Sequence, residues 1–289
     1  MNLDSESSEE TAFEAAGVVN GNYGATIVSD SRGRNVIIAN VDSKNKHVFH
    51  AYKTDGDLLK PVIKKDVQSV IKDRFQMIPL ILSPLGKELI HGRAFLNPET
   101  FKQSPDFLST SIGYKAIEEP LKMAWINDEH LVEIAIPAKS GLVDSEDSPD
   151  RAILLWARDK AKLVHATSAP NAVAVAASPN GSQIAEAGKD LRVRIRDAQT
   201  LQISREIRAH DAPLTAVAWH PHLPFIATAS EDHRVKIVDL RTYRVVRKIG
   251  LFRGLPNNIY WSPDGRTLAV QSVDGSSFID LFKIDCCNE

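Results

Sequence analysis

The chain has 289 residues, 43% hydrophobic and 25% charged, with a formal net charge of −2. That composition suits a globular protein with a large core, and it excludes a low-complexity chain and a wholesale polyanion binder. The charge is unevenly spread: residues 1–150 hold 16 Lys+Arg against 23 Asp+Glu, residues 151–250 hold 16 against 9, and residues 251–289 hold 3 against 5. The only two cysteines, Cys286 and Cys287, are adjacent. Chain neighbours bridge only with strain and cross-link nothing, so the expected compartment is reducing and cytoplasmic. Apolar runs such as Ala172–Ala177 are far too short to span a bilayer.

In chain order, residues 1–12 read as an acidic disordered tail, with no basic start or apolar stretch of a secretory signal. Phe13–Val19 follows as a candidate strand. Six turn-like starts then recur at Asp30, Ser83, Trp125, Ser178, His220 and Ser262, in steps of 42 or 53 residues. A period of about 40–45 residues belongs to four-stranded propeller blades. The longer steps require insertions of about 11 residues. One fits a polar hairpin loop at Lys139–Ser148. The other fits Asp57–Gln76, where Asp66 is placed to cap a short helix carrying Val67, Val70, Ile71 and Phe75 on one face.

The last three repeats are the clearest. Their first strands are Ala172–Ala177, Leu214–Trp219 and Asn258–Trp261, followed by turns such as Ser178-Pro179-Asn180-Gly181 and Ser262-Pro263-Asp264-Gly265. Second strands are expected at Gln183–Ala187, Phe225–Ala229 and Thr267–Gln271, and third strands at Leu191–Arg196, Val235–Asp239 and Phe278–Lys283. Outer strands lie near Gln202–Ile207 and Val245–Ile249. A tight-turn aspartate keeps the same register in five repeats: Asp42, Asp150, Asp190, Asp232 and Asp274. A short Asp side chain satisfies backbone N–H groups that such a corner leaves unpaired. The third strand of the second repeat, within Leu80–Pro120, is hard to place.

These pieces resemble the WD40 family of β-propellers. Leu155-Trp156-Ala157 looks like the family's Trp-Asp ending with Ala157 for Asp. Ile195-Arg196-Asp197 and Ile237-Val238-Asp239 keep the Asp and lose the Trp. Ala209-His210-Asp211 looks like its Gly-His dipeptide. The resemblance runs from about Gly24 to Lys283, strongest over 150–283. It implies an all-β fold with six four-stranded blades in one domain over 13–289; a seventh blade or an open fragment are the alternatives. It also implies an in-blade network of His210, Asp232 and Thr228 or Ser230. The last repeat lacks sequence for an outer strand, and the family's solution would assign that strand to Phe13–Val19.

No catalytic motif appears: there is no Gly-x-Ser-x-Gly, His-Glu-x-x-His or phosphate loop. No catalytic, cofactor or metal residue is assigned. His220 and His222 flank one turn, but no nearby Cys or carboxylate has ligand spacing, and the plainer reading is a structural His210 beside three solvated histidines. Trp219 and Trp261 match in position and read as core. Arg192, Arg194 and Arg196 alternate along one strand and share a face. They are a candidate basic face for acidic, phosphorylated or nucleic-acid ligands, set against a solvated face neutralised by Asp190, Asp197 and Glu206. The expected function is a non-enzymatic scaffold for other proteins, monomeric as a domain, with nucleic acid not favoured and no membrane.

Overall fold

The computed structural model describes residues 26–29, 35–41, 47–55, 58–67, 80–91, 94–107, 114–116, 123–137, 151–274 and 277–284. The expected strand Phe13–Val19, the loop Lys139–Ser148, Asp42 and Asp150 lie outside them. Every strand pairing is antiparallel, and the chain falls into two compact units, Met1–Phe107 and Leu108–Glu289.

The first unit holds two four-stranded sheets. Sheet I contains β1 (Thr26–Ser29), β2 (Asn35–Val41), β3 (His47–Asp55) and β4 (Leu58–Val67), in that order. Sheet II contains β5 (Leu80–Leu82), β6 (Leu89–His91), β7 (Ala94–Leu96) and β8 (Gln103–Phe107). Ile37 from sheet I packs with Leu82, Leu89, Leu96 and Phe101. Asp66 and Val67 belong to β4, paired with Val48 and His47. The expected helix therefore does not start at Asp66; the ladder with β3 satisfies that backbone instead. The third strand of the second repeat, unplaced from sequence, is β7.

The second unit holds four sheets. Sheet III has β9 (Tyr114–Ala116), β10 (Met123–Trp125), β11 (His130–Pro137), β12 (Ala152–Ala157) and β13 (Lys162–Ser168), with β9 and β10 pairing different lengths of β11. Sheet IV has β14 (Ala172–Ala177), β15 (Gln183–Gly188), β16 (Arg192–Asp197) and β17 (Ile203–Arg208). Sheet V has β18 (Leu214–Trp219), β19 (Phe225–Ser230), β20 (Arg234–Asp239) and β21 (Arg244–Ile249). Sheet VI has β22 (Leu255–Trp261), β23 (Thr267–Val273) and β24 (Ser277–Lys283).

The expectation of six four-stranded blades, or of seven, is thereby corrected. Five sheets carry the four-strand ladder, and the last has three strands, because no described strand follows on the outer side of β24.

Successive sheets share their cores, as alternation along each strand requires. Ile153 and Leu155 of sheet III pack with Val175 and Ile184 of sheet IV. Val193 of sheet IV packs with Val217 and Ile226 of sheet V. Ala227 and Ile237 of sheet V pack with Leu268 and Val270 of sheet VI. Sheets IV and V are thereby covered on both faces, which holds their loops on a rigid base.

Candidate functional site

The turn aspartates set the geometry at one end of sheets IV to VI. In sheet V, Asp232 accepts from the Arg234 backbone N–H at 3.0 Å, and His233 closes the corner at φ 60°. In sheet IV the equivalent residues are Asp190 and Leu191, the latter at φ 69°. Asp190 pairs with Arg194, the third residue of β16. Asp274 meets Arg253 at 3.3 Å on the surface. One register thus serves three different partners.

The Asp232 carboxylate also accepts from His210, whose Nδ1 lies 2.8 Å from Oδ2. That bond fixes the tautomer, so Nε2 is the acceptor facing the Thr228 hydroxyl at 2.9 Å. Ser230 instead serves the turn, bonding the Asp232 backbone N–H at 3.1 Å and the Ala212 carbonyl at 3.0 Å. Lys236 adds a group that sequence reasoning missed: its Nζ donates to the Ala209 carbonyl at 3.0 Å and lies 3.5 Å from Asp232. Burial pushes His210 below its ordinary value and outweighs the Asp232 hydrogen bond and charge; Lys236 pushes the same way. Burial pushes Asp232 up, but the hydrogen bond and charge of His210 and the charge of Lys236 hold it below the usual carboxylate value. The His210 side chain is 0% exposed and engaged at both ring nitrogens, so it anchors the sheet.

Thr228 pairs across the ladder with Lys236, Glu186 with Arg194, and Glu133 with Leu154. Thr228, Glu186 and Glu133 therefore occupy one position in three successive sheets. In sheet IV, Arg196 Nε donates to Glu186 at 2.6 Å and its NH1 group to the Leu201 carbonyl at 2.7 Å. In sheet III, Trp156 donates its indole N–H to Glu133 at 2.9 Å. The signal that would have found Glu133 and Glu186 was present: a charged residue amid an apolar strand, 53 residues apart, with Thr228 another 42 on.

The arginine face is largely paired internally. Arg194 meets Glu186 at 3.3 Å, Glu206 at 3.1 Å and Asp190. The hydrogen bond to Asp190 leads the effects that raise the Arg194 value further. Arg196 is 4% exposed on Glu186, and Arg192 meets Glu206 at 3.0 Å. Asp197 does not neutralise this face. It caps its own turn, accepting from the Gln199 and Thr200 N–H groups at 3.0 and 2.8 Å.

His220, His222 and His233, expected to be solvated, are engaged. His220 is buried; its Nδ1 accepts from the His222 and Leu223 backbone N–H groups at 3.1 and 2.9 Å, and its Nε2–H donates to the Gly265 carbonyl at 3.2 Å. His222 bonds the Pro263 carbonyl at 2.8 Å, and His233 lies 3.1 Å from the Phe252 carbonyl. These bonds tie sheet V to the segments of sheet VI. Trp219 donates to the Ala176 carbonyl at 2.9 Å, and Trp261 packs against His220 with ring centroids 4.7 Å apart and planes tilted by 59°. Among the described residues, no cluster of three His, Cys, Asp or Glu is placed to hold a metal ion.

Residues 201–239 match the family model described as WD domain, G-beta repeat. This segment is a WD40 repeat. It runs from the outer strand of sheet IV through β20 and contains His210, Thr228 and Asp232, so the WD40 sequence unit is offset from the sheet by one strand. Among solved structures, the C-terminal WD40 domain of Sif2 is similar, at 12% identity and TM-score 0.56, covering 90% of this chain and 67% of that one. That likeness is one of fold, an all-β propeller with four-stranded blades. No curated protein matches the sequence. No described helix is long and apolar enough to cross a membrane.

Proposed function

We propose that this WD40 propeller is a non-enzymatic protein-interaction scaffold, monomeric as a domain and working in the cytoplasm. One observation carries the reading: the buried charged and histidine side chains at the centres of sheets III to V are engaged in bonds that hold those sheets. Glu133 serves Trp156, Glu186 serves Arg196, and His210 serves Asp232 and Thr228. Groups used in this way stiffen the blades and leave recognition to exposed strands and loops. The adjacency of Cys286 and Cys287, a spacing that bridges only with strain, supports a reducing compartment. The Arg192, Arg194 and Arg196 face is less favoured as a ligand site, because internal carboxylates already meet each guanidinium.

Affinity capture on the intact chain from its source cell, read by mass spectrometry, tests the scaffold. Specific proteins retained at moderate salt are expected. Failure to retain any, or turnover of a small molecule by the pure chain, would overturn it.

A further inference from the structure

Sheets IV and V are copies offset by 42 residues, and one difference between them inverts a charge. In sheet IV the outer strand supplies Glu206, which lies opposite Arg194 and meets both Arg192 and Arg194. The matching residues of sheet V are Arg234, Lys236 and Lys248, with Lys248 directly opposite Lys236. Three cations stand where sheet IV has two cations and a carboxylate. Lys236 is buried and anchored on Ala209 and Asp232. Arg234 and Lys248 are exposed, and among the described residues neither forms an ion pair.

The rest of β21 continues the pattern. A bulge between Ile237 and Val238 leaves Val246 out of the ladder, with Arg247 opposite Ile237 and Arg244 opposite Asp239. Residues three apart on a regular strand face opposite ways, so the bulge brings Arg244 and Arg247 to one face. Both are exposed and form no ion pair among the described residues, and Val246 between them is 56% exposed. β21 is also the outermost strand of its sheet, so one backbone edge is open.

We propose that β21 docks an extended acidic segment of a protein partner, added as a further strand, whose carboxylates complete the charge pairs that Glu206 completes inside sheet IV. This rests on the scaffold reading above. A strand added to β21 would present successive side chains to both faces, to Arg244 and Arg247 on one and to Arg234 and Lys248 on the other. A cationic edge repels most strands, copies of itself included, and admits an acidic one. An extended peptide uses the open backbone edge as well as the charges. A nucleic acid would use only the charges. Tyr243, at the head of β21, already carries Arg205 at 4.6 Å from its ring centroid and offers no free stacking face on that side.

The experiment measures fluorescence anisotropy of a labelled Glu-rich peptide, of a single-stranded oligonucleotide of the same charge and of a Lys-rich peptide, with the full chain between about 50 and about 200 mM salt. Salt-weakened binding of the Glu-rich peptide is expected, tighter than that of the oligonucleotide. Lys248→Glu recreates the sheet IV arrangement. It is expected to lose about tenfold or more in peptide affinity while keeping or raising the unfolding midpoint. The double variant Arg244→Ala/Arg247→Ala, altered only at exposed side chains, is expected to lose affinity as well. Absence of peptide binding, unchanged affinity in the double variant, or equal affinity for the oligonucleotide overturns the proposal. If it fails while affinity capture still returns proteins, this strand is the wrong surface and the scaffold stands. If capture fails as well, the scaffold reading fails with it.

Discussion

Arg196 and Glu186 form an ion pair inside sheet IV, 2.6 Å from Nε to Oε2, with side chains 4% and 1% exposed. Removing one member strands the other charge where water does not reach. Glu186→Ala should destabilise the chain by about 3–5 kcal/mol. The paired replacement Glu186→Thr/Arg196→Val, which imports the residues of sheet V, should cost clearly less. Urea midpoints at fixed pH compare the two, and equal losses would show that the pair has no special weight.

The equivalent bond in sheet III is between neutral and acidic partners. Trp156→Phe keeps most of the ring volume and removes the N–H that Glu133 accepts at 2.9 Å. Shortening a buried acceptor by one donor should cost about 1–3 kcal/mol. Adding Glu133→Leu should recover part of that loss, measurable as a coupling in a double-mutant cycle.

Gly265 sits at φ 72°, and a Cβ there would overlap the His220 imidazole. Gly265→Ala should therefore destabilise through backbone strain and ring displacement together, with strain alone of order 1–3 kcal/mol. In a His220→Ala background the overlap disappears and only the strain remains. The second substitution should thus cost less in that background, read from thermal or urea unfolding.

Acid should weaken the fold in two stages. His210 and His220 both titrate below the ordinary 6.5, chiefly because burial disfavours the imidazolium. Their stabilisation is therefore present above about pH 6.5. It falls as pH drops below that value, where the unfolded chain takes protons that the folded chain refuses. Asp232 is held below 3.8, so its share persists into acid and is lost as pH falls through its folded value. Unfolding midpoints for the native chain and His220→Gln, between neutral pH and pH 5, check the first stage. The variant should show the shallower decline.

The repeat made much of the second unit legible. β14 and β18 begin and end where alternation and the following turns place them, because turns rich in Pro, Asn and Gly mark strand ends without tertiary help. His210 and Asp232 were legible as partners only through the resemblance of Ala209-His210 and the turn aspartate to the WD40 pattern. Glu133, Glu186 and Lys236 were not. A charge in mid-strand reads as solvent-facing until its partner elsewhere in the sheet is seen, and such pairings join residues 4 to 27 positions apart. The same blindness made Arg194 and Arg196 look available. In the first unit Asp66 and Val67, expected at the start of a helix, end the ten-residue strand β4, and Val70, Ile71 and Phe75 lie outside the described residues. Pairing with β3 decided that segment, and no local signal reports pairing.

The three strands of sheet VI set how the protein behaves at high concentration. β24 exposes Ile279 at 69% and Leu281 at 70%, and no described strand lies beyond it. Where β21 carries Arg244, Arg247 and Lys248, β24 has only Asp280 and Lys283 among those apolar side chains. An apolar edge with so little charge is an adhesive one. A lysine in place of Ile279 or Leu281 is expected to lower self-association at high concentration, read by light scattering.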